Sequence, residues 1–560
     1  MKRFFRAAVC VLGGGACAGA LPASASGRAD EPVVAEGGGL EYPEGLAIPR
    51  GLTAAERAYV ERFPLTAAER GAGPPAVRAD VRCPGEYEPS QGIMFAWEPS
   101  SSGITTILTT MVREVTTTGN ADAYIMVDSA AEQSSVTTTL TSGGANMERV
   151  KFSVVTTDTI WIRDYGPRYI YEGSVRAVVD HTYNRPRPND DALPVFWANA
   201  RRQPGYDIPL VHGGGNYHLS GLGDSWATRL INNENPGLSE AQIVQRWRDY
   251  QNVQTTLTQP FPTSVDSTQH IDMWMQIVGD RAVIVSDWPS NPGSTQDQIC
   301  DATAASMASA GWTLTRVPAF SVGGTHYTYT NAVMCNDLVL IPSYTNATVA
   351  PSNAAALAAW QGAVPGKTVR QVNCQSIVTL AGVMHCIVMH VPAPLGGANP
   401  TVYLRTLRGP ETLTPGASAT ISWSTDDDVG VVNVDILLST DGGATFPTVI
   451  ASATSDDGSF EWVVPTTYTT QGRVRVVARD GSGNTGFGQS AADLFIDAPP
   501  PACDGDADGN GAVDFGDITA VLTAYGAATE PFGFGDADGS GAVNFGDITS
   551  VLSNWGATCP

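Results

Sequence analysis

MHCIVMHVP, residues 384–392, sets a histidine–cysteine pair, His385–Cys386, between apolar flanks. Ile387, Val388 and Val391 prefer extended backbone and Pro392 ends the run, so the flanks 381–384 and 387–391 are expected to be strand or strand edge. A cysteine in such a setting is most often simple packing, since cysteine is among the most buried residue types. Four polar motifs upstream change that expectation: DTIWIRDYGP (158–167), VHGGGNYH (211–218), STQHIDMW (267–274) and HYTYTNAV (326–333). Asp164 precedes a Tyr-Gly-Pro turn that would hold it rigidly, and Asn216 follows three glycines. His270 and Asp272 would share one side of an extended chain, because side chains alternate along a strand. Asn331 completes the set. These residues span about 220 positions, so only a fold can unite them with Cys386.

The 560 residues are enough for three or four domains. Apolar residues make up 42 %, with 59 Gly and 37 Pro, which fits loop-rich β or α/β domains rather than disorder. The formal net charge of −24 argues against a nucleic-acid partner, since no basic stripe is available to neutralise phosphates. Residues 1–25 have the build of a signal peptide: Lys2, Arg3 and Arg6, a short apolar run, then Ala23-Ser24-Ala25. That run is too short to span a bilayer, and no other membrane span is expected. The chain is therefore expected to be secreted or held at the cell surface, where disulfides are permitted. Without Cys10 and Cys17 an odd set of cysteines remains, and Cys386 is the candidate for the unpaired thiol.

Residues 26–80 form an N-terminal extension or pro-segment whose one helical piece, LTAAERAYVERF, starts at a Thr53 cap. Residues 81–396 alternate short β-like runs (IMFAW, AYIMV, RAVIVSDW, DLVLIP) with helical stretches near 239–250 and 353–362, which indicates one large α/β domain without a visible internal repeat. Residues 400–498 carry short alternating strands separated by turn-formers and are expected to be an all-β sandwich of immunoglobulin type. A Pro-rich linker, 499–502, leads to the tail, 503–560.

The tail repeats itself: GDADGNGAVDFGDITAVLTAYG returns thirty residues later as GDADGSGAVNFGDITSVLSNWG. Asp506, Asp508, Asn510, Asp514 and Asp517 occupy calcium-loop positions one, three, five, nine and twelve, and Asp536, Asp538, Ser540, Asn544 and Asp547 match them in the second copy. Aspartate rather than glutamate at position twelve makes the pair resemble a type I dockerin more than an EF-hand. Two structural calcium ions and a cohesin-like or cell-surface partner follow as expectations. Cys503 and Cys559 bracket the module and are candidates to clasp its ends.

WIRDYGP, GGGNY, HID, YTN and MHC, with the opening CPGEYEPSQGIMFAW, resemble in order and spacing the Porphyromonas-type peptidylarginine deiminase and agmatine deiminase family. The resemblance covers roughly 83–394. It implies the pentein fold, a propeller of five αββ-type units around a central pocket, and no cofactor for catalysis. The residues carry that chemistry independently. Two carboxylates, Asp164 and Asp272, can hold a planar guanidinium bidentately over a thiolate. Cys386 is the expected nucleophile, His270 the proton carrier, and Asn331 the group that orients them. Trp161, Arg163 and Asn216 are expected to line the substrate site. Arg185 and Arg187, in NRPRPNDD, fall where peptidylarginine enzymes of the family hold the carboxylate of a C-terminal arginine. The expected substrate is thus an arginine-containing peptide or protein, with the small guanidine agmatine as the alternative. A Cys-His-Asn peptidase would match Cys386, His270 and Asn331 but has no use for both carboxylates. A third alternative is an inactive scaffold that serves the calcium-loop tail.

Overall fold

The computed structural model describes residues 30–35, 37–67, 73–496 and 504–559. The expected signal peptide, the Pro-rich linker and Cys503 lie outside the described residues.

Five sheets make up the large domain, and each repeats one pairing rule. An antiparallel pair of strands is followed by a helical crossover to a parallel neighbour. The pairs Arg168–Glu172 with Val175–Tyr183, His218–Leu219 with Asp224–Thr228, Met275–Gly279 with Ala282–Asp287, and Val333–Cys335 with Leu338–Ser343 open four of them. Their parallel partners are Gly205–His212, Gln254–Thr258, Thr313–Val322 and Thr368–Asn373. The fifth sheet joins the two ends of the domain. Met389–Pro392 runs antiparallel to Ser90–Ala96, which in turn lies parallel to Asp122–Val127. The crossovers are ordinary amphipathic helices. Ser102–Thr116 is capped by the Ser101 side chain and buries Ile104, Ile107, Leu108, Met111, Val112 and Val115, the spacing of a single helical face. Continuous apolar runs such as IMFAW belong to strands covered on both sides, as parallel sheets require.

The expected helices hold closely: Ser239 caps Glu240–Gln251, and Asn353–Ala363 forms as anticipated. Two local expectations do not. HID is a tight 3-10 turn, Ile271–Met273, rather than a strand, and His385–Ile387 is another. The segment before Cys386 is also not extended. Ala381 is left-handed (φ +63°), and a β-carbon at Gly382 would come within 2.5 Å of the Trp161 ring, so the chain must turn closely around that indole. Strand preference was overridden by this packing.

Thr401–Leu404, Ser418–Asp426 and Ser459–Val463 form one sheet of the following β domain. A second sheet orders Thr412–Leu413, Leu494–Ile496, Thr469–Asp480, Val431–Ser439 and Thr448–Thr454, with Thr485–Gln489 also pairing to Thr469–Asp480. Ile421, Trp423 and Trp462 from the first sheet share a core with Val434, Ile436 and Val476 from the second. The tail holds two helices, Phe515–Ala524 and Phe545–Ser553, around Val513, Val521, Val543 and Val551. No helix among the described residues is long and apolar enough to cross a membrane.

Cysteine pairing departs from expectation. Cys83, Cys300, Cys335 and Cys374 are free and buried, as is Cys386, so the unpaired thiol is not distinguished by elimination. Cys559 is disulfide-bonded, while its expected partner Cys503 lies outside the described residues.

A buried ion pair fastens the β domain to the large one. The Arg176 guanidinium donates to both Asp426 oxygens (Nε–Oδ2 2.8 Å, Nη2–Oδ1 2.9 Å) and to the carbonyls of Pro392 and Asp427. Truncating one partner of such a pair strands the other charge and costs about 3–5 kcal/mol. Asp426→Ala is therefore expected to lower the urea midpoint of the large domain and the sandwich together; an unchanged midpoint would show that this contact does not couple them.

Candidate active site

Each of the five polar motifs sits just before the first strand of one sheet's antiparallel pair. Asp164 lies on the short helix Ile162–Tyr165 before Arg168–Glu172, and the turn Gly214–Asn216 precedes His218–Leu219. Asp272 precedes Met275–Gly279, Asn331 precedes Val333–Cys335, and Cys386 precedes Met389–Pro392. Equivalent positions in five units thereby converge, and Asp164, Asp272, His270, Asn331 and Cys386 are all buried in one cluster.

The centre of that cluster is a guanidinium supplied by the chain itself. Arg50, from the N-terminal extension, places its Nε and Nη2 2.8 Å from the two oxygens of Asp164. Its Nη1 and Nη2 lie 3.0 Å from the two oxygens of Asp272, and Nη1 also donates to Cys386 Sγ at 2.6 Å. All five N–H groups are used. A β-carbon on Gly215 would fall 1.7 Å from Arg50 Nη2, so the last glycine of GGG is what leaves room for the cation. The Gly215 amide donates to Asp164 Oδ1 at 3.0 Å.

The residues expected to be catalytic lie close to one another. Asn331 Nδ2 is 3.2 Å from Cys386 Sγ, and its Oδ1 accepts from the His385 amide at 3.0 Å. His270 Nδ1 is 3.3 Å from Asp164 Oδ1, yet neither ring nitrogen has a well-formed hydrogen bond among the described residues. The substrate-lining expectations divide. Trp161 Nε1 donates to the Ile48 carbonyl (2.9 Å) and Arg185 Nε to the Arg50 carbonyl (3.1 Å). Arg187 holds the Pro49 carbonyl (2.8 Å) and both oxygens of buried Glu56 (2.8 and 3.2 Å). Arg163 and Asn216 make their hydrogen bonds away from Arg50. Arg163 pairs with Glu86 and His390, and Asn216 bonds the Thr228 main chain.

Three participants were missed. His385 bridges Asp272 Oδ2 and Glu86 Oε2 at 2.9 Å each, fixing the carboxylate that grips the cation. Glu86 stands in the CPGEYEPS segment, and His385 adjoins Cys386, so both had a signal in position alone. Arg50 had none.

Burial acts to raise the Asp164 carboxyl, but the Arg50 guanidinium and then His270 hold it well below the usual range. Asp272 is likewise lowered against its burial, by Arg50 and His385. Burial drives the Cys386 thiol well above its ordinary value, Arg50 opposes this, and the two carboxylates reinforce it. The bound cation is thus the largest influence that favours the thiolate, with the Val383 backbone acting in the same sense.

Residues 82–392 match the Porphyromonas-type peptidyl-arginine deiminase family, more than half of the chain. The chain belongs to this family. It is 25 % identical over 302 residues to an agmatine deiminase of Ectopseudomonas mendocina, covering 44 % of this chain and 78 % of that one. A Pseudomonas aeruginosa agmatine deiminase is 24 % identical over 383 residues, 57 % of this chain and 97 % of its own. The solved agmatine deiminase of Enterococcus faecalis, 19 % identical, superposes with a TM-score of 0.50 over 58 % of this chain and 99 % of its own, which establishes the same mixed α/β pentein fold. The chain is accordingly a guanidino-group deiminase, a hydrolase of amidine C–N bonds.

Proposed function

We propose that the enzyme converts arginine carried in a peptide to citrulline and ammonia through Cys386. The Cys386 thiolate adds to the guanidinium carbon while Asp164 and Asp272 hold the nitrogens. His270 gives a proton to the departing nitrogen, the C–N bond breaks, and ammonia leaves an S-linked thiouronium. His270 then takes a proton from water as its oxygen adds to the same carbon; the C–S bond breaks and the ureido product forms. Asn331 orients the thiol. Removing the nucleophile by Cys386→Ala should abolish ammonia release without unfolding the chain. Asp164→Asn and Asp272→Asn should each lower kcat/KM by about two orders of magnitude or more, from the roughly 3–5 kcal/mol attached to a buried charge partner. Unchanged rates in both aspartate variants would dismiss the carboxylate cradle.

The peptide preference is carried by one observation: Arg185 donates to the main-chain carbonyl of the arginine whose guanidinium fills the cradle. Agmatine has no carbonyl or carboxylate for it. Arg187 already holds a carboxylate, that of Glu56, in fork geometry. A peptide ending in arginine would offer Arg185 and Arg187 its carboxylate. The names of the bacterial relatives favour agmatine as the second reading. Arg185→Ala should reduce kcat/KM for C-terminal-arginine peptides relative to agmatine by about tenfold or more, the scale of one charge-assisted hydrogen bond. The ratio is the informative quantity. A parent enzyme faster on agmatine, or a ratio untouched by the substitution, would decide for agmatine.

The tail reading is a separate proposal: two calcium ions bind at Asp506, Asp508 and Asp517 and at Asp536, Asp538 and Asp547. Each trio brings carboxylate oxygens within 4.8 Å of one another, at loop positions one, three and twelve. Asp514 and Asn544 cap the following helices, their side chains accepting from Gly516 and Gly546. Calorimetry of the full chain should show two calcium sites, one lost in Asp517→Ala and the other in Asp547→Ala; absence of calcium heat in the parent would overturn the assignment. A protein partner for this tail and export of the chain are proposed with it, on the repeat and on the leader-like residues 1–25.

A further inference from the structure

The N-terminal extension does more than pass near the site. The loop before the helix Ala54–Arg62 is fixed on both sides of Arg50. The Arg50 amide donates to the Leu380 carbonyl at 2.9 Å, and the carbonyls of Ile48, Pro49 and Arg50 are held by Trp161, Arg187 and Arg185. Behind it, Glu56 is buried against Arg187 and accepts the Tyr42 hydroxyl. Three of the side chains that sequence motifs marked for external substrate are therefore occupied by residues 48–56.

The Arg50 guanidinium is bound in a manner unsuited to reaction. Cys386 Sγ accepts an Nη1–H bond at 2.6 Å, so the sulfur is engaged with a terminal nitrogen rather than with the central carbon. Attack on the central carbon needs approach over the face of the plane. Arg50, Asp164, Asp272, His270 and Cys386 are all sealed from solvent, so the water that must complete hydrolysis has no access. Every N–H of the cation is satisfied, and nothing in the contact favours a next step.

We propose that residues 30–67 form an intramolecular inhibitor, with Arg50 held as an unreacted stand-in for the substrate guanidinium. The inference rests on the deiminase reading of this site. The extension and an external arginine cannot occupy the cradle together, so the extension must withdraw before substrate enters. An extension closed nine-tenths of the time lowers apparent affinity about tenfold, because only the open fraction binds.

The test uses the full chain. In a Cys386→Ala background, calorimetry measures binding of an arginine-ended peptide to the parent, Arg50→Ala and Glu56→Gln, while the same two substitutions in the active chain are assayed for ammonia. Arg50→Ala should bind the peptide about tenfold more tightly or better and raise kcat/KM comparably. Glu56→Gln, which loosens the extension at Arg187 and leaves Arg50 in place, should move both in the same direction. Peptide mapping of the active parent should find arginine at position 50. Equal affinity in parent and folded Arg50→Ala overturns the proposal, as does citrulline at position 50, which would make the extension a substrate. If Arg50→Ala does not fold, unchanged affinity in Glu56→Gln overturns it. Tighter binding without ammonia release from any variant would leave the inhibitor standing and remove the deiminase reading instead.

Discussion

Two aspartates, fully buried and facing one another across a slot the width of a planar cation, set the terms for the rest of the molecule. An ionised carboxylate away from water is tolerated only with a paired charge and satisfied lone pairs. Asp164 obtains the Arg50 guanidinium and the Gly215 amide; Asp272 obtains the same guanidinium and the His385 ring. His385 is steadied by Glu86, and Glu86 by Arg163, so a chain of hydrogen-bonded side chains runs from the cradle into the body of the domain. Arg163 first, and then the neighbouring histidines, hold Glu86 well below its ordinary range despite its burial. Arg163, which adjoins Asp164 in sequence, belongs to this support through Glu86.

The fold makes the slot by repetition. Five turns, each ahead of the first strand of its sheet, deliver Asp164, Gly215, Asp272, Asn331 and Cys386 to a common centre. The sheet that supplies Cys386 is closed by pairing Met389–Pro392 with Ser90–Ala96, the two ends of the domain. The repeat is not visible as repeated letters because each unit contributes a different side chain to the centre, and only connectivity is shared. What the sequence does show is the motif at each turn, and through the motifs the identity of the cluster. The turns themselves were misjudged where alternation or β-branched residues suggested strands, as at HID and before Cys386. Close packing on Trp161 and the need to aim two side chains inward decided the backbone there. Cysteine parity failed for a related reason: four further thiols are packed as small apolar groups, and none pairs with another.

Arg50 was invisible for a different reason. No local pattern marks one arginine in a Gly- and Pro-rich stretch as the partner of residues 114 and 222 positions away. Its significance lies wholly in tertiary placement. The helix beside it was legible from the Thr53 cap and the Glu56 that completes the capping box. Yet Glu56 serves both the cap and the ion pair with Arg187, and only the first of these roles is written locally.

In the proposed reaction the same electrostatics govern both halves of turnover. A guanidinium entering the cradle pairs with both carboxylates and favours ionisation of Cys386, so binding and activation of the nucleophile are one event. Citrulline is neutral. Once the ureido group forms, Asp164 and Asp272 face each other without a counter-charge, and the cost of that arrangement falls with water entry or arrival of another cation. Product is thus held less firmly than substrate by the very groups that selected the substrate. The Arg50 side chain, which keeps its charge, has no such reason to leave, and Arg185, Arg187 and Trp161 hold the carbonyls of Arg50, Pro49 and Ile48 as well. Competition between the extension and an external arginine therefore turns on the main chain and the Glu56–Arg187 pair, since the two guanidinium groups are chemically the same to the cradle.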